Sequence, residues 1–295
     1  MDIAALKALI AVAETGSFSR AAEQLFMTQP AISKRIATLE SELDVQLIDR
    51  LGRNTRLTEA GETLLVSARR IVADIDNSRE QVRSLQHEVG GRLRLATSHH
   101  IGIHRLPPIL KAYTQTCPAV DLDLLFMDSE QACDQVADGS IELAIVTLPA
   151  NPPENIETQL VWNDPLVIVC APEHPLNSAG SSNKNKKPIS ADQLSKHPAV
   201  LPAKGTVTRG ILLDAIAPHD ITINTALETN YLETIKMMVS VGLGWSALPS
   251  NMIDNTIAAI PVSGVKMNRE LGTVSLEGRT LSRAALALIE LLPQA

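Results

Sequence analysis

Apolar positions recur every three or four residues from Ile3 to Leu85, then give way to short alternating or continuous runs. This change of period divides the chain. Ile3, Leu6, Leu9, Ile10 and Ala13 share one face of a first helix ending at Thr15-Gly16, where glycine permits a left-handed cap. Ser17 or Ser19 is placed to cap a second helix through Arg20–Leu25, and the paired Ala21-Ala22 lets another helix cross closely. Phe26-Met27 reads as an apolar connection that plugs the corner. Thr28 then caps a third helix carrying Pro30 in its first turn, where a missing N–H costs nothing. Ile32, Ile36, Leu39 and Leu43 fall on one face of that helix, leaving Gln29, Ser33, Lys34 and Arg35 on others. Alternation through Val45–Arg50, followed by LGRNTRLT, predicts a short β-wing with arginines at its turn.

From Glu59 to Glu88 there is no proline, and Gly61 is the only glycine. Leu64, Ala68, Ile71, Ile75, Ser78, Val82 and Leu85 follow in steps of four and three, the repeat of a coiled-coil seam. At 1.5 Å per residue the rod is roughly 45 Å long. So long and polar-sided a helix is expected to pair with a second copy, against the alternative of packing on its own chain. Gly90-Gly91 supplies a hinge.

Beyond the hinge, Leu93–Ala96 and Val120–Phe126 read as strands flanking a helix at about His104–Thr116. Ser129–Ala137 predicts another helix and Glu142–Val146 a third strand, the order of a parallel α/β sheet. After a turn-rich stretch, Pro149–Asn155, comes a strand at about Ile156–Val161. A second lobe begins near Pro165 with a strand at Leu166–Cys170 and the polar run NSAGSSNKNKK, residues 177–187, read as a solvated loop. Helices at about Thr206–Ala217 and Tyr231–Val241 and strands at about Ile221–Leu227 and Trp245–Leu248 follow. The chain is expected to re-enter the first lobe after about Val265 and to close with a helix at about Ser282–Leu292. The division is 1–58, 59–89 and 90–295, with lobe I at about 92–161 and 266–295 and lobe II at about 162–265. The fold class is α+β overall: a winged helix-turn-helix, a long linker helix and a two-lobed α/β domain.

Composition leaves this outline in place. No apolar run reaches the roughly eighteen residues of a membrane span. The N-terminus carries Asp2 and Glu14 and lacks the basic start of a signal peptide, so the chain reads as cytoplasmic. Cys117, Cys133 and Cys170 have neither disulfide-scaffold nor zinc spacing. A net charge of −7 argues against a nucleic-acid partner until its distribution is read. Residues 1–58 hold seven bases and seven acids, and Lys34, Arg35, Arg50, Arg53 and Arg56 gather in the second half. A neutral domain with one positive side can still bind phosphates.

A helix-turn-helix presents the N-terminal residues of its second helix to base edges in the major groove. Gln pairs bidentately with adenine, Lys or Arg with guanine or phosphate, and Ser with either. Arginine at a wing tip suits the narrow minor groove. The runs GSFSRAAEQL, TQPAISKRIATLE, LDVQLIDR and RLTEAG, in this order and spacing, resemble LysR-type transcriptional regulators. The resemblance implies recognition-helix contacts by Gln29, Pro30, Ser33 and Lys34 and a wing contact by Arg53, with Arg35 and Arg50 as further DNA-binding candidates. Two departures are Ile48-Asp49-Arg50, where the family commonly has Phe-x-Arg, and Lys34, where many members carry Arg. Lysine would act as a point charge, not a fork.

GSIELAIVTLP, APEHPL and VSVGLGWSALP extend the resemblance to the family's regulatory domain, itself similar to type 2 periplasmic binding proteins. In such sheets ligands sit beyond the carboxyl ends of the strands, against helix N-termini. That rule selects Thr97, Ser98, His99 and His100 after the first strand, then Ser129, Thr147, Thr206, Thr208 and Asn230, with turn capping as the alternative role. A small polar or anionic effector between the lobes is expected, and no cofactor. His100 and His104 have i, i+4 spacing, but no Cys, Asp or Glu stands nearby in sequence, so no metal site is assigned and a satisfied loop histidine is the plain reading.

The function expected is a sequence-specific DNA-binding regulator, not an enzyme: the chain shows no Gly-x-Ser-x-Gly, P-loop or paired acid–base motif. The resemblance implies a homotetramer on an interrupted palindrome in promoter DNA, with RNA polymerase a further candidate partner. The seam alone supports a homodimer. Two alternatives stand beside this one: a redox-responsive regulator using a cysteine thiol, and a solute-binding protein with no role at DNA.

Overall fold

The structure, a computed structural model, describes residues 1–51, 54–84, 89–178 and 187–293. Arg53, Leu85 of the seam and most of the polar run at 177–187 lie outside the described residues.

The head folds as its caps dictate. Helix α1 (Ile3–Thr15) ends on Gly16 at φ 61°, α2 (Phe18–Gln24) is capped by Ser17, and α3 (Gln29–Leu43) by Thr28. Leu9, Ala21, Ala22, Ile32, Ile36 and Leu39 close the core between them. Met27 packs against that core, but Phe26 does not plug the corner: its backbone turns left-handed (φ 54°) and its ring is 96% exposed. The wing is the antiparallel pair β1 (Ile48–Leu51) and β2 (Asn54–Leu57). Glu40 ties it to α3 by accepting the Leu47 and Ile48 N–H groups at 2.9 and 3.2 Å.

The long helix α4 (Glu59–Ser84) starts against the wing. A side chain at Gly61 would place its Cβ 2.1 Å from the Leu47 carbonyl oxygen, so glycine is needed there despite its poor helix propensity. Helix α4 packs on α1, with Lys7 3.3 Å from Asp76. Arg69 joins the helix to the C-terminal domain, 2.7 Å from Asp138. Ala68 of the seam is buried, whereas Ser78 and Val82 stay exposed.

Strand β3 (Gly90–Thr97), helices α5 (His99–His104) and α6 (Leu106–Thr116), strand β4 (Ala119–Phe126), helix α7 (Ser129–Ala137) and strand β5 (Leu143–Thr147) build the first lobe. One helix had been expected at about His104–Thr116, but the chain breaks at Arg105 before Pro107-Pro108, and the preceding histidines form a helix of their own. Strand β3 runs parallel to both β4 and β5. Helices α6 and α7 sit in separate cores. This makes the end of β3 a topological switch point.

The two strands read at Ile156–Val161 and Leu166–Cys170 are one, β6 (Ile156–Cys170), which runs from the first lobe into the second. The second lobe adds α8 (Pro175–Ser178), β7 (Ala199–Leu201), α9 (Val207–Ile216), β8 (Thr225–Glu228), α10 (Leu232–Ser240), β9 (Ser246–Pro249) and β10 (Ala258–Ile260). Strand β11 (Met267–Leu276) returns antiparallel to β6 along most of its length, and α11 (Arg283–Glu290) closes the first lobe. The sheet order β10-β6-β11-β5-β3-β4, with β9 also on β6, shows β6 and β11 as the two strands shared by both lobes.

Candidate functional site

Two regions gather polar side chains that the fold does not need for its cores. The first is the N-terminal turn of α3. Gln29, Pro30 and Lys34 are exposed there, and Ser33 and Arg35 half-exposed, while Ile32, Ile36 and Leu39 anchor the opposite face. Arg35 lies 3.8 Å from Asp2, which offsets part of its charge. Arg50 is placed on β1 by its backbone, opposite Thr55. Its side chain, like the whole of Arg53, lies outside the described residues. Phe26 projects from the turn before α3, an exposed aromatic that its apolar character had assigned to plugging the corner.

The second region is the cleft between the lobes, lined from one side by Ser98, His99, His100, Ser129 and Thr147 and from the other by Thr206, Thr208 and Asn230. These are eight of the nine residues selected from sequence. The exception is Thr97, which is fully buried and donates its hydroxyl to the Ile145 carbonyl at 2.8 Å, holding β3 to β5. The selection rule marked the end of the strand, and the side chain there points into the sheet. The cleft is small, with a cavity volume of about 50 Å³.

The hydroxyls are placed by helix ends. Ser129 begins α7 and its oxygen accepts the Thr147 N–H at 3.1 Å, joining two of the selected residues. Thr206 caps α9 by accepting from Arg209 N–H. Asn230 accepts from Ala203 N–H at 2.9 Å and donates to Asp128 across the cleft at 2.7 Å. The ring of His99 bridges the lobes too, 5.2 Å from Phe126 and 4.7 Å from Tyr231 between centroids.

The charged residues in and beside the cleft were missed. Arg269 is 4% exposed at its floor, where Nε donates to Asp164 at 2.7 Å and Nη1 to Thr208 at 3.2 Å. Its Nη2 is buried with no hydrogen-bond partner. Asp164 also accepts from Arg105 at 2.9 Å, so two guanidiniums share one carboxylate, and Glu233 is close enough to act on Arg269 as well. Burial lowers the pKa of Arg269, and Asp164 opposes that shift. Glu130 reaches across to the start of α9, accepting from Val207 N–H at 2.7 Å, so that helix end already holds an anion. Glu233 comes from α10 to His100 and His104, 3.5 and 2.9 Å away. Interaction with His100 holds the Glu233 carboxyl at about 2, while burial lowers His100 itself. His100 is therefore a buried helical residue, not a loop histidine. A signal for Arg269 and Asp164 did exist: each is a lone charge on the inward face of its strand, Arg269 between Met267 and Leu271.

All three cysteines are buried, and none forms a disulfide. Burial, with Glu130 and Asp134 nearby, pushes the Cys133 thiol up to about 11, and burial also raises Cys117. A redox sensor needs an accessible thiolate, and burial works against one at Cys133 and Cys117. No described helix is long and apolar enough to cross a membrane.

Both regions fall within segments that match known family models. Residues 3–62 match the family model described as a bacterial regulatory helix-turn-helix protein of the lysR family. Residues 86–295 match that of the LysR substrate binding domain. A probable RuBisCO transcriptional regulator of Synechocystis sp. is 30% identical over 98% of this chain and 85% of its own. An uncharacterised HTH-type transcriptional regulator of Azotobacter vinelandii is 62% identical over 37% of this chain and 75% of its own. Among solved structures, a full-length OxyR variant from Pseudomonas aeruginosa superposes with a TM-score of 0.77 at 23% identity, over 99% of this chain and 94% of that one. Full-length CbnR complexed with its target DNA gives 0.61 at 21%, over 99% of both chains. The regulatory domain of Synechocystis CcmR in complex with 2-PG gives 0.59 at 24%, over 68% of this chain and 95% of that one.

Proposed function

The chain belongs to the LysR family of transcriptional regulators, and on that premise we propose that it docks α3 in the major groove of promoter DNA under the control of a small anionic effector held between its lobes. The observation that carries the effector reading is Arg269: a buried guanidinium, at the floor of a polar cleft, with one nitrogen unpartnered. Leaving a buried charged donor unsatisfied costs about 1–3 kcal/mol or more, and an anion placed there recovers it. His100, Ser98, Ser129 and Thr147 stand around the same space and supply polar partners. The CcmR regulatory domain, similar in fold, is held in complex with 2-PG, which agrees with a small polar ligand in this cleft.

At the head, Gln29 and Lys34 are the candidate base readers, with Pro30 shaping the first turn and Ser33, Arg35, Arg50 and Arg53 as further contacts. The exposed Ser78 and Val82 on α4 support a homodimer through that helix, and a tetramer on an interrupted palindrome is the assembly proposed. The division into head, linker and two-lobed domain at 1–58, 59–89 and 90–295 belongs to the same reading.

Gel-shift titration on the chain's own upstream region tests the DNA half. Absence of a shift at low salt, with and without cell extract, overturns it. For the effector half, a thermal-shift screen of small carboxylates and phosphorylated metabolites should find a stabilising ligand. Ser98→Ala should abolish that stabilisation and leave the gel shift intact, whereas equal loss of both refutes the site.

A further inference from the structure

His100, His104 and Glu233 converge beside the cleft in a way neither DNA binding nor effector binding requires. The two histidines stand one turn apart on α5 of the first lobe, with ring centroids 4.7 Å apart. Glu233 arrives from α10 of the second lobe, and its Oε1 lies 2.9 Å from His104 Nε2 and 3.5 Å from His100 Nδ1. One donor atom from each residue lies within 4.8 Å of the others. Around a tetrahedral zinc ion with bonds of about 2.0–2.1 Å, neighbouring donors stand roughly 3.3 Å apart. The two distances to Glu233 straddle that value, while the two imidazole donors, up to 4.8 Å apart, must draw together around an ion.

His100 adds an independent observation. It is 4% exposed, its Nδ1 has only the long 3.5 Å approach to Glu233, and its Nε2 has no hydrogen-bond partner. Buried imidazoles ordinarily satisfy at least one nitrogen, and an orphaned one calls for an unrecorded partner.

We propose that His100, His104 and Glu233 form a site for a divalent transition-metal ion of the zinc class, which fastens α5 of the first lobe to α10 of the second. Two neutral imidazoles and a carboxylate are the three-ligand set of open zinc sites, with a fourth position left for water or an anion from the cleft. Imidazole donors favour zinc, copper, nickel or cobalt over magnesium and calcium. The Arg269 guanidinium is an opposing charge, and Asp164 holds and offsets it. Because the ligands come from both lobes, a bound ion couples metal occupancy to lobe closure. The site does not depend on the identity of the effector.

The test is titration of metal-stripped, full-length protein with Zn²⁺ by calorimetry and with Co²⁺ by visible absorption. One ion per chain should bind with micromolar or tighter affinity, and Co²⁺ should develop the d–d bands of a four- or five-coordinate ion. His104→Ala and Glu233→Gln alter partly exposed side chains and should leave the circular dichroism unchanged. Each should weaken binding by about tenfold or more, a shift of about 1.4 kcal/mol, and bleach the Co²⁺ bands. His219→Ala, on the far part of the second lobe, should change neither. Affinity unaltered in both ligand variants would place the ion elsewhere and overturn the proposal. So would absence of binding at millimolar Zn²⁺, which would leave the trio as an ion pair only.

Discussion

The head and the cleft solve the problem of presenting polar groups in opposite ways. In the head, the helical candidate contacts, Gln29 to Arg35, lie in the first turns of α3, exposed or half-exposed beside a face of Ile32, Ile36 and Leu39 that the rest of the head buries. The cleft assembles its groups from α5, β5, α7, α9, α10, β11 and the turns beside them, and buries or half-buries most of them. Its charges must therefore pair, and they do so over long sequence separations: Arg269 with Asp164, Glu130 with the start of α9, Glu233 with His104. A surface helix can tolerate an unpaired lysine in water. A cleft floor cannot tolerate an unpaired carboxylate or guanidinium at small cost, so its pairs are structural and functional at once.

The largest test of that contrast is Asp164→Ala. It removes the carboxylate shared by Arg105 and Arg269 and leaves the buried guanidinium uncompensated, at about 3–5 kcal/mol. Both tryptophans, Trp162 and Trp245, lie in the C-terminal domain, so urea unfolding followed by tryptophan fluorescence reports that domain alone. The midpoint should fall strongly. An unchanged midpoint would mean that the pair is solvated and the cleft floor is not the low-dielectric site described.

Gln29→Ala tests the opposite expectation at the head. Loss of a bidentate base contact costs about 1–3 kcal/mol of DNA affinity, up to about a hundredfold, and relaxes preference at one base pair. The tryptophan-reported transition should not move, since Gln29 is exposed and outside the head's core. Uniform weakening on all sequences would instead make Gln29 a backbone contact.

The same contrast explains what was legible in the sequence. Caps, the αL glycine and the 3.6-residue period are local, so the three helices of the head, with Gly16, Ser17 and Thr28 at their ends, follow from neighbours in the chain. Phe26 was misplaced because apolarity alone does not reveal a left-handed turn that swings the ring outward. In the C-terminal domain, strand ends and helix starts located most of the cleft's hydroxyls, because these positions are also set locally. Glu233, 129 residues from His104, could not be placed beside it without the fold. Arg269 sat in plain view as a charge within an apolar alternation, but its partner Asp164 comes from another strand, 105 residues away.

Acid should separate the two regions more gently. Burial lowers the folded-state pKa of His100 below its ordinary 6.5, so the unfolded chain binds that proton more readily and stability falls as pH drops below about 6.5. Glu233, held at about 2 against an ordinary 4.5, adds stability that is full above 4.5 and is lost as pH falls toward 2. The two act in the same direction at one contact between the lobes. The tryptophan-reported midpoint should decline below pH 6.5, and His100→Gln should flatten the decline between pH 6.5 and 4.5. An equal slope in that variant would assign the loss to other groups.

The smallest effect compares two hydroxyls at helix starts. Thr28 caps α3 through its side chain, accepting the Ala31 N–H, whereas Ser98 stands at the cap of α5 without such a bond. Thr28→Ala should therefore cost the head about 1 kcal/mol, the usual worth of a side-chain cap. Its readout is the urea dependence of DNA binding, since the tryptophans do not see the head. Ser98→Ala should leave the tryptophan-reported midpoint almost where it was, because the fold draws no capping bond from that oxygen. In the head a cap hydroxyl holds the helix that reads DNA. At the cleft the equivalent position contributes no cap bond, which leaves the Ser98 hydroxyl to be used by whatever enters between the lobes. A Ser98→Ala cost as large as that of Thr28→Ala would show the hydroxyl to be structural and return it to the ordinary role of a turn residue.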